Sequence, residues 1–424
     1  MTWILGVRIT SLQHALPSAS SAQASQLFPS LIDESRTPCS GNGIRYQGDL
    51  TCFCHACWSG PDCSVQEDIK TCMVNAESGS PFLFEDYWVA HPEAEVRIKP
   101  SYQEGYGWYQ PQLERAIRAI HAQVGNAVTD DRHIVIGMGS QQVLTAAFFA
   151  VSNASRSPEV DPTKICAETP YYNSYPRTAA WFSSSLFEWS NTTDLEANAA
   201  SPVIQVMTSP NNPDGSMRNK TVPGAFGIYD HAYYWPHFTP ISAAVEYGDE
   251  DIAVFTLSKL TGHAGSRIGW GIVKDPKLAE MMQTYIVGDS GYVQENQLRA
   301  THLLHHALAD QGGLLAYARE HMEHRWKVLH EVVSKSSRLS LQALGQAQLD
   351  KWTGTVRSPS PAYAWLHCNE SKDQDCHAAM MAGGIIGRPG SAFGADSSFN
   401  RLELLMQPAV FETLAAKLEL FVNG

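Results

Sequence analysis

The sequence predicts an α/β protein with a mostly parallel central sheet in a large domain, a smaller C-terminal α+β lobe, and a cysteine-rich N-terminal module. Three observations carry this. Short β-branched runs alternate with helical stretches, the pattern of a parallel sheet wrapped by helices. A new strand pattern starts after residue 360, beyond a long helical stretch. Six of the nine cysteines fall between Cys39 and Cys72. With 424 residues the chain exceeds one ordinary core, so several domains are expected. They read as a leader and linker (1–37), a cysteine module (38–73), a large domain (74–310) whose first segment contributes to the small lobe, and the small domain (311–424).

The leader opens with MTWILGV, which is apolar but short and interrupted by Arg8; it reads as a weak or incomplete signal peptide. In the next module, CSGNG…CFCHACWSGPDCS…C, glycines are many and aliphatics few. An even count of cysteines in so small a segment indicates disulfide staples. A zinc site is the alternative, because CFCHAC has tight spacings and a histidine. Four N-x-[ST] sequons, at Asn153, Asn191, Asn219 and Asn369, lean towards the same oxidising compartment, the secretory pathway with a vacuolar or extracellular destination. The net charge of −13 and the lack of a basic run argue against nucleic acid. No apolar stretch of about 20 residues is present, so no membrane span is expected.

In the large domain, QLERAIRAIHAQVG places Leu113, Ala116, Ile117, Ile120 and Val124 on one helical stripe. HIVIGMGSQQVLTAAFFAV is a strand, a glycine turn and an apolar helix. SPVIQVMTSPNNPDG, GAFGIYDHAYY, EDIAVFTLSK and SRIGWGIVKDP are further strands ending in turns or polar residues. The stretch from 295 to 345 is helical in pattern. PAYAWLHC opens the small lobe and AVFETLAAKLELFV closes it.

Ligands of open α/β sheets collect at the carboxyl ends of strands. Four such ends carry distinctive residues: the Gly137–Gln142 turn, Asn211 with Asn212, Asp230, and Ser258 with Lys259. Together they match the needs of pyridoxal 5'-phosphate. Its aldehyde needs a lysine amine, for which Lys259 is the candidate. Its ring nitrogen needs a carboxylate, for which Asp230 ends a strand deep in the sheet. Asn212 and Tyr233 are within reach of the phenolic oxygen. Gly139, Ser140 and Gln141, at a strand-to-helix turn, suit a phosphate, with Ser258 and Arg267 completing the cradle. Tyr172 is placed to cover the ring. Taken singly, each has a plainer account: a turn or cap residue for Asp230, a turn sequence for SPNNPDG, a solvated charge for Lys259 or Arg267.

SPNNPDG, YDHAYYWPHFTP and TLSKLTGHAGSRIGWG, in this order, resemble the fold-type I pyridoxal-phosphate enzymes of the aminotransferase superfamily. Within it, the chain is similar to the plant alliinase and tryptophan-aminotransferase-related family. VGNAVTDDRHIVIGMGS and the cysteine module, which is similar to the EGF-like domain of alliinases, extend the resemblance over residues 38 to 424. The resemblance implies the roles given above for Lys259, Asp230, Asn212, Tyr233, Tyr172, Ser258, Arg267 and the GSQQ turn. It adds Arg401 as the clamp for the substrate carboxylate, a task that suits a bidentate guanidinium. It implies pairings Cys39–Cys52, Cys54–Cys63, Cys57–Cys72 and Cys368–Cys376, with Cys166 a free buried thiol. It also implies a homodimer in which a tyrosine of 101–111 approaches the neighbouring site; Tyr106 is the candidate, with Tyr102 and Tyr109 competing. Two departures stand out. The 101–111 segment is short, and Glu403 stands where the family has a small hydroxyl residue.

The implied activity is transamination between an L-amino acid and a 2-oxo acid. Alliinase-type cleavage of S-alkyl-L-cysteine sulfoxides uses the same Lys259, Asp230 and Arg401 and is the close alternative. A secreted binding protein with an EGF-like module and a decayed active site is a third reading, favoured by Glu403 and the shortened segment.

Overall fold

The computed structural model describes residues 38–44, 52–94, 111–156, 162–192, 195, 201–245, 247–289 and 293–424. The leader and Tyr102, Tyr106 and Tyr109 lie outside the described residues. The chain divides into two units, one ending at Glu67 and one starting at Asp68.

In the first unit, disulfides Cys39–Cys52 and Cys54–Cys63 accompany two short antiparallel pairs, Gly43–Ile44 with Phe53–Cys54 and Trp58–Ser59 with Val65–Gln66. Cys57, in this unit, and Cys72, just past its end, are each disulfide-bonded as well. Cross-links here stand in for the aliphatic core that the composition cannot supply.

The second unit opens with Val74–Asn75, paired in parallel with Ile385–Ile386. Helix α1 (Glu85–Val89) follows, then α2 (Pro111–Val124), whose stripe Leu113, Ala116, Ile117, Ile120 and Val124 is buried throughout. The central sheet has seven strands: β1 (His133–Met138), β2 (Thr163–Cys166), β3 (Phe187–Trp189), β4 (Val203–Thr208), β5 (Phe226–Asp230), β6 (Ile252–Thr256) and β7 (Ile268–Val273). Their spatial order is β1-β7-β6-β5-β4-β2-β3. Neighbours run parallel except at β7, which is antiparallel to β1 and β6. The mostly parallel sheet expected from the alternating pattern is therefore present. Helices α3 (Gly139–Ala154), α4 (Ser174–Phe182), α5 (Leu257–Thr261) and α6 (Pro276–Gly288) flank it. Val143, Phe148 and Val151 of α3 and Met282 of α6 pack on Val206, Ile228 and Val254 of the strands. Every residue of β6 is buried, as befits a strand covered on both faces.

The reversal of β7 shapes the site. Ile268 pairs with Met138, and Gly269 with Thr256, so the amino end of β7 lies level with the carboxyl ends of β1 and β6. Arg267, which precedes a strand, thus emerges at the same edge as residues that follow strands.

Helices α7 (Gln294–Ala309) and α8 (Gly313–Val333) lead to an antiparallel sheet of β8 (Leu339–Leu341), β9 (Tyr363–Cys368), β10 (Arg388–Pro389) and β11 (Phe399–Glu403), ordered β8-β9-β11-β10. The Cys368–Cys376 disulfide ties β9 to α9 (Cys376–Ala382). Helix α10 (Pro408–Asn423) closes the lobe by burying Phe411, Leu414, Leu418 and Phe421. Among the described residues, no helix is long and apolar enough to cross a membrane.

Candidate active site

At the carboxyl edge of the central sheet a cavity of about 230 Å³ brings together Lys259, Asp230, Tyr172, Asn212, Tyr233, Ser140, Gln141, Ser258, Arg267 and Arg401. Residues remote in sequence, among them Gly79, Ser80, Tyr363 and Arg388, line it too.

Asp230 is the last residue of β5 and is 3% exposed. Tyr175, on α4, donates its hydroxyl to Oδ2 at 2.8 Å, and the Ala232 N–H donates to Oδ1 at 3.2 Å. Burial pushes the carboxyl up to about 6, while those two donors and the charge of Lys259 pull it back. A buried carboxylate of this kind is stabilised by a cationic partner.

Lys259 sits in α5, directly after β6. Thr256 caps that helix by accepting from the Ser258 N–H at 3.2 Å, and Gly262, at φ 88°, ends it. The Lys259 amine donates to the Gly79 carbonyl and lies 5.7 Å from the centre of the Tyr233 ring. The Tyr233 hydroxyl is 2.8 Å from that of Tyr363.

The end of the cavity suited to an anion is the start of α3. Gly139 opens this 16-residue helix at φ 73°, and a Cβ there would run into the Arg267 guanidinium. The helix start and that guanidinium thus share a space only glycine leaves open, a setting made for an anion. Gln141 contributes its backbone here. Its side chain is turned to α4, accepting from Ser174 at 2.5 Å and donating to Thr178 at 2.8 Å.

Arg401, on β11, is 2% exposed. It donates to Asn212 Oδ1 at 2.9 Å and to the carbonyls of Glu77 and Ser78 at 2.7 and 3.2 Å. Its guanidinium carbon lies 4.0 Å from the centre of the Tyr363 ring, and its Nε has no partner among the described residues. Glu403, two residues on, is buried and leaves Oε1 without a partner. Burial pushes it up to about 7, against the pull of Lys259, Arg401 and Arg325.

Sequence reasoning missed three contributors. Tyr175 was discoverable: it stands one helical turn after Tyr172 in YYNSY. Tyr363 opens β9 opposite Glu403, and Gly79 belongs to the segment before α1; only tertiary pairing brings either to the cavity.

The groups present fit pyridoxal 5'-phosphate. A lysine amine, a buried acid short of a cation, and a glycine-opened helix start facing a guanidinium answer the aldehyde, the ring nitrogen and the phosphate. With this sheet they define a fold-type I pyridoxal-phosphate enzyme. Residues 74–422 match the family model described as Allinase, and the chain belongs to that family. It is 36% identical over 410 residues to tryptophan aminotransferase-related protein 3 of Arabidopsis thaliana, covering 91% of this chain and 87% of that one. It is 33% identical over 392 residues to alliin lyase 2 of Allium sativum, covering 88% and 82%. An aminotransferase from Staphylococcus aureus shares the fold, with a TM-score of 0.61 at 16% identity over 83% of this chain and 94% of that one. Proteins of this family use pyridoxal 5'-phosphate.

Proposed function

We propose that the protein is an aminotransferase that exchanges the amino group of an L-amino acid with a 2-oxo acid. The convergence of Lys259, Asp230 and Arg401 in one cavity supports amino-acid chemistry on pyridoxal 5'-phosphate; the choice of transamination follows the aminotransferase-related relatives and its being the commoner outcome in this superfamily. When bound, pyridoxal 5'-phosphate supplies an electron sink for the bond broken at the substrate Cα. Lys259 would hold the cofactor's aldehyde, and its Nζ is the group that would take and return the Cα proton. Asp230, steadied by Tyr175, would pair with the ring nitrogen and favour its protonated form. Tyr172 covers the ring face, and Asn212 and Tyr233 serve the phenolic oxygen. Backbone N–H groups of Gly139, Ser140 and Gln141, with Ser258 and Arg267, take the phosphate. Arg401 holds the substrate carboxylate. Its contacts to Asn212 and to the Glu77 and Ser78 carbonyls fix the plane of the fork before substrate arrives.

Alliinase-type carbon–sulfur cleavage is the second reading, favoured by the alliin lyases among the relatives. Supplied with tryptophan and a 2-oxo acid, the protein should form the new amino acid. Supplied with an S-alkyl-L-cysteine sulfoxide, it should release no pyruvate and ammonia. The reverse pattern replaces the first reading with the second. Lys259→Ala should abolish both, and surviving turnover would remove the catalytic assignment. The third reading, an EGF-like secreted binder with a decayed site, predicts a purified protein with no cofactor absorbance. Dimerisation, with Tyr106 reaching the neighbouring site, belongs to the same proposal and is checked by sedimentation with and without Tyr106→Phe.

A further inference from the structure

We propose that His91, Glu93 and His306, which do not line the amino-acid cavity, form a site for a divalent cation of the zinc class. One ligand atom from each of the three lies within 4.8 Å of the others. Hydrogen bonding points to the nitrogen of each ring that is left for a cation. The Tyr87 hydroxyl has one proton and donates it to Asp310 Oδ2 at 2.6 Å. At His306 Nε2, 2.9 Å away, it therefore accepts. In the neutral ring Nε2 then carries the proton and Nδ1 the lone pair. His91 Nδ1 lies 2.6 Å from the Tyr87 carbonyl oxygen, which only accepts, so the His91 lone pair is on Nε2.

Two imidazole lone pairs and a carboxylate then share one small space, with His306 Nδ1 3.4 Å from Glu93 Oε1. With both rings neutral, three acceptors without a donor repel one another; a bound metal cation, or a proton on His306 Nδ1 shared with Glu93, relieves this. Both histidines are held through their second nitrogen, one by a backbone carbonyl and one by the Tyr87–Asp310 pair, which is how metal-binding imidazoles are oriented. Two histidines and a glutamate, with a fourth position for water, make a zinc-class donor set. Bonds of about 2.0–2.1 Å need the three ligand atoms closer than they stand. Glu93, whose side chain is 62% exposed, is free to rotate inward.

The cation would join the turn Pro92–Ala94 to α7. Trp88 of α1 donates its indole N–H to the carbonyl of Thr261 at 2.7 Å, the last residue of the helix that carries Lys259. Its ring also packs on His263, with centroids 4.8 Å apart. The site thus braces the wall beside the amino-acid cavity without touching substrate, and it stands whichever reaction the cavity performs.

The test is calorimetric titration of the chelator-stripped, cofactor-loaded protein with zinc chloride, paired with thermal melts. One equivalent should bind with a Kd below about 10 μM, and Tm should rise by about 5 °C at a hundredfold excess over Kd. Glu93→Gln, at an exposed carboxylate, should fold normally and weaken binding at least tenfold; His91→Ala should do the same. Tyr87→Phe keeps all three ligands but frees the His306 ring, and should weaken binding by about 10–100-fold. Zinc binding that is absent, or that survives unchanged in Glu93→Gln and His91→Ala, overturns the proposal. So does a cluster in which a protonated His306 bonded to Glu93 takes the cation's place, seen as unchanged melts with and without zinc.

Discussion

Arg401 and Glu403 sit two residues apart on one strand, both buried, and they pull in opposite directions. Arg401 offers a charge and a planar fork. Arg401→Lys keeps the charge and loses the fork, so KM for the amino acid should rise by about 10–100-fold while kcat changes less, as steady-state kinetics will show. Glu403 is a cost that pH can switch. Its folded-state pKa, about 7, lies above the ordinary 4.5. The neutral acid therefore favours the folded state fully below pH 4.5, and that advantage is lost as pH rises through 7. Glu403→Gln should leave stability at pH 5 nearly unchanged and raise it at pH 8 by up to about 3 kcal/mol in denaturant melts. An equal gain at both pH values would sink this account. The residues that were legible in the sequence are those at strand ends, because one local pattern supplies both the strand and its last side chain. Tyr363 was not, because its place opposite Glu403 is decided by the pairing of two strands more than thirty residues apart.

Among the elements, the start of α3 and the reversed strand β7 do the most to build the cavity. Gly139 is needed twice there, for its positive φ and for the space in front of Arg267. Gly139→Ala should weaken cofactor binding by roughly tenfold or more, read by equilibrium dialysis of the cofactor. A fold that melts normally with undiminished affinity would contradict it. Five of the seven strands, β1, β4, β5, β6 and β7, announced themselves by apolar runs, and α2 by its stripe; the short β2 and β3 carry no such run in the sequence reading. The direction of β7 did not, since SRIGWGIV reads alike in either orientation. Nor did the pairing of Val74–Asn75 with Ile385–Ile386, which carries no local mark.

Over the whole molecule, covalent cross-links and surface chemistry point to the same compartment. The disulfides formed in both units require an oxidising environment to persist. Asn153, Asn191, Asn219 and Asn369 are all exposed, so each is open to glycosylation. Expression through a secretory pathway should give a mass that falls on treatment with an N-glycosidase, and no fall would count against that route. Replacing Cys368 and Cys376 together by Ser should cost about 2–3 kcal/mol in unfolding free energy, measured in denaturant. Cys166, by contrast, lies buried with its thiol pushed up to about 12, and should resist alkylation until the chain unfolds.

The doubling back of the chain between β6 and β7 turns the step from Lys259 to Arg267 into a ruler. One end is set by a capped helix and the other by a strand locked in register to two neighbours. With Lys259 and Arg267 in the roles proposed above, adding a single residue inside that step would shift the grip on one group of a small molecule relative to its grip on another. Variation in what this catalyst accepts is therefore expected at the rim of the cavity, with the length of that step held constant.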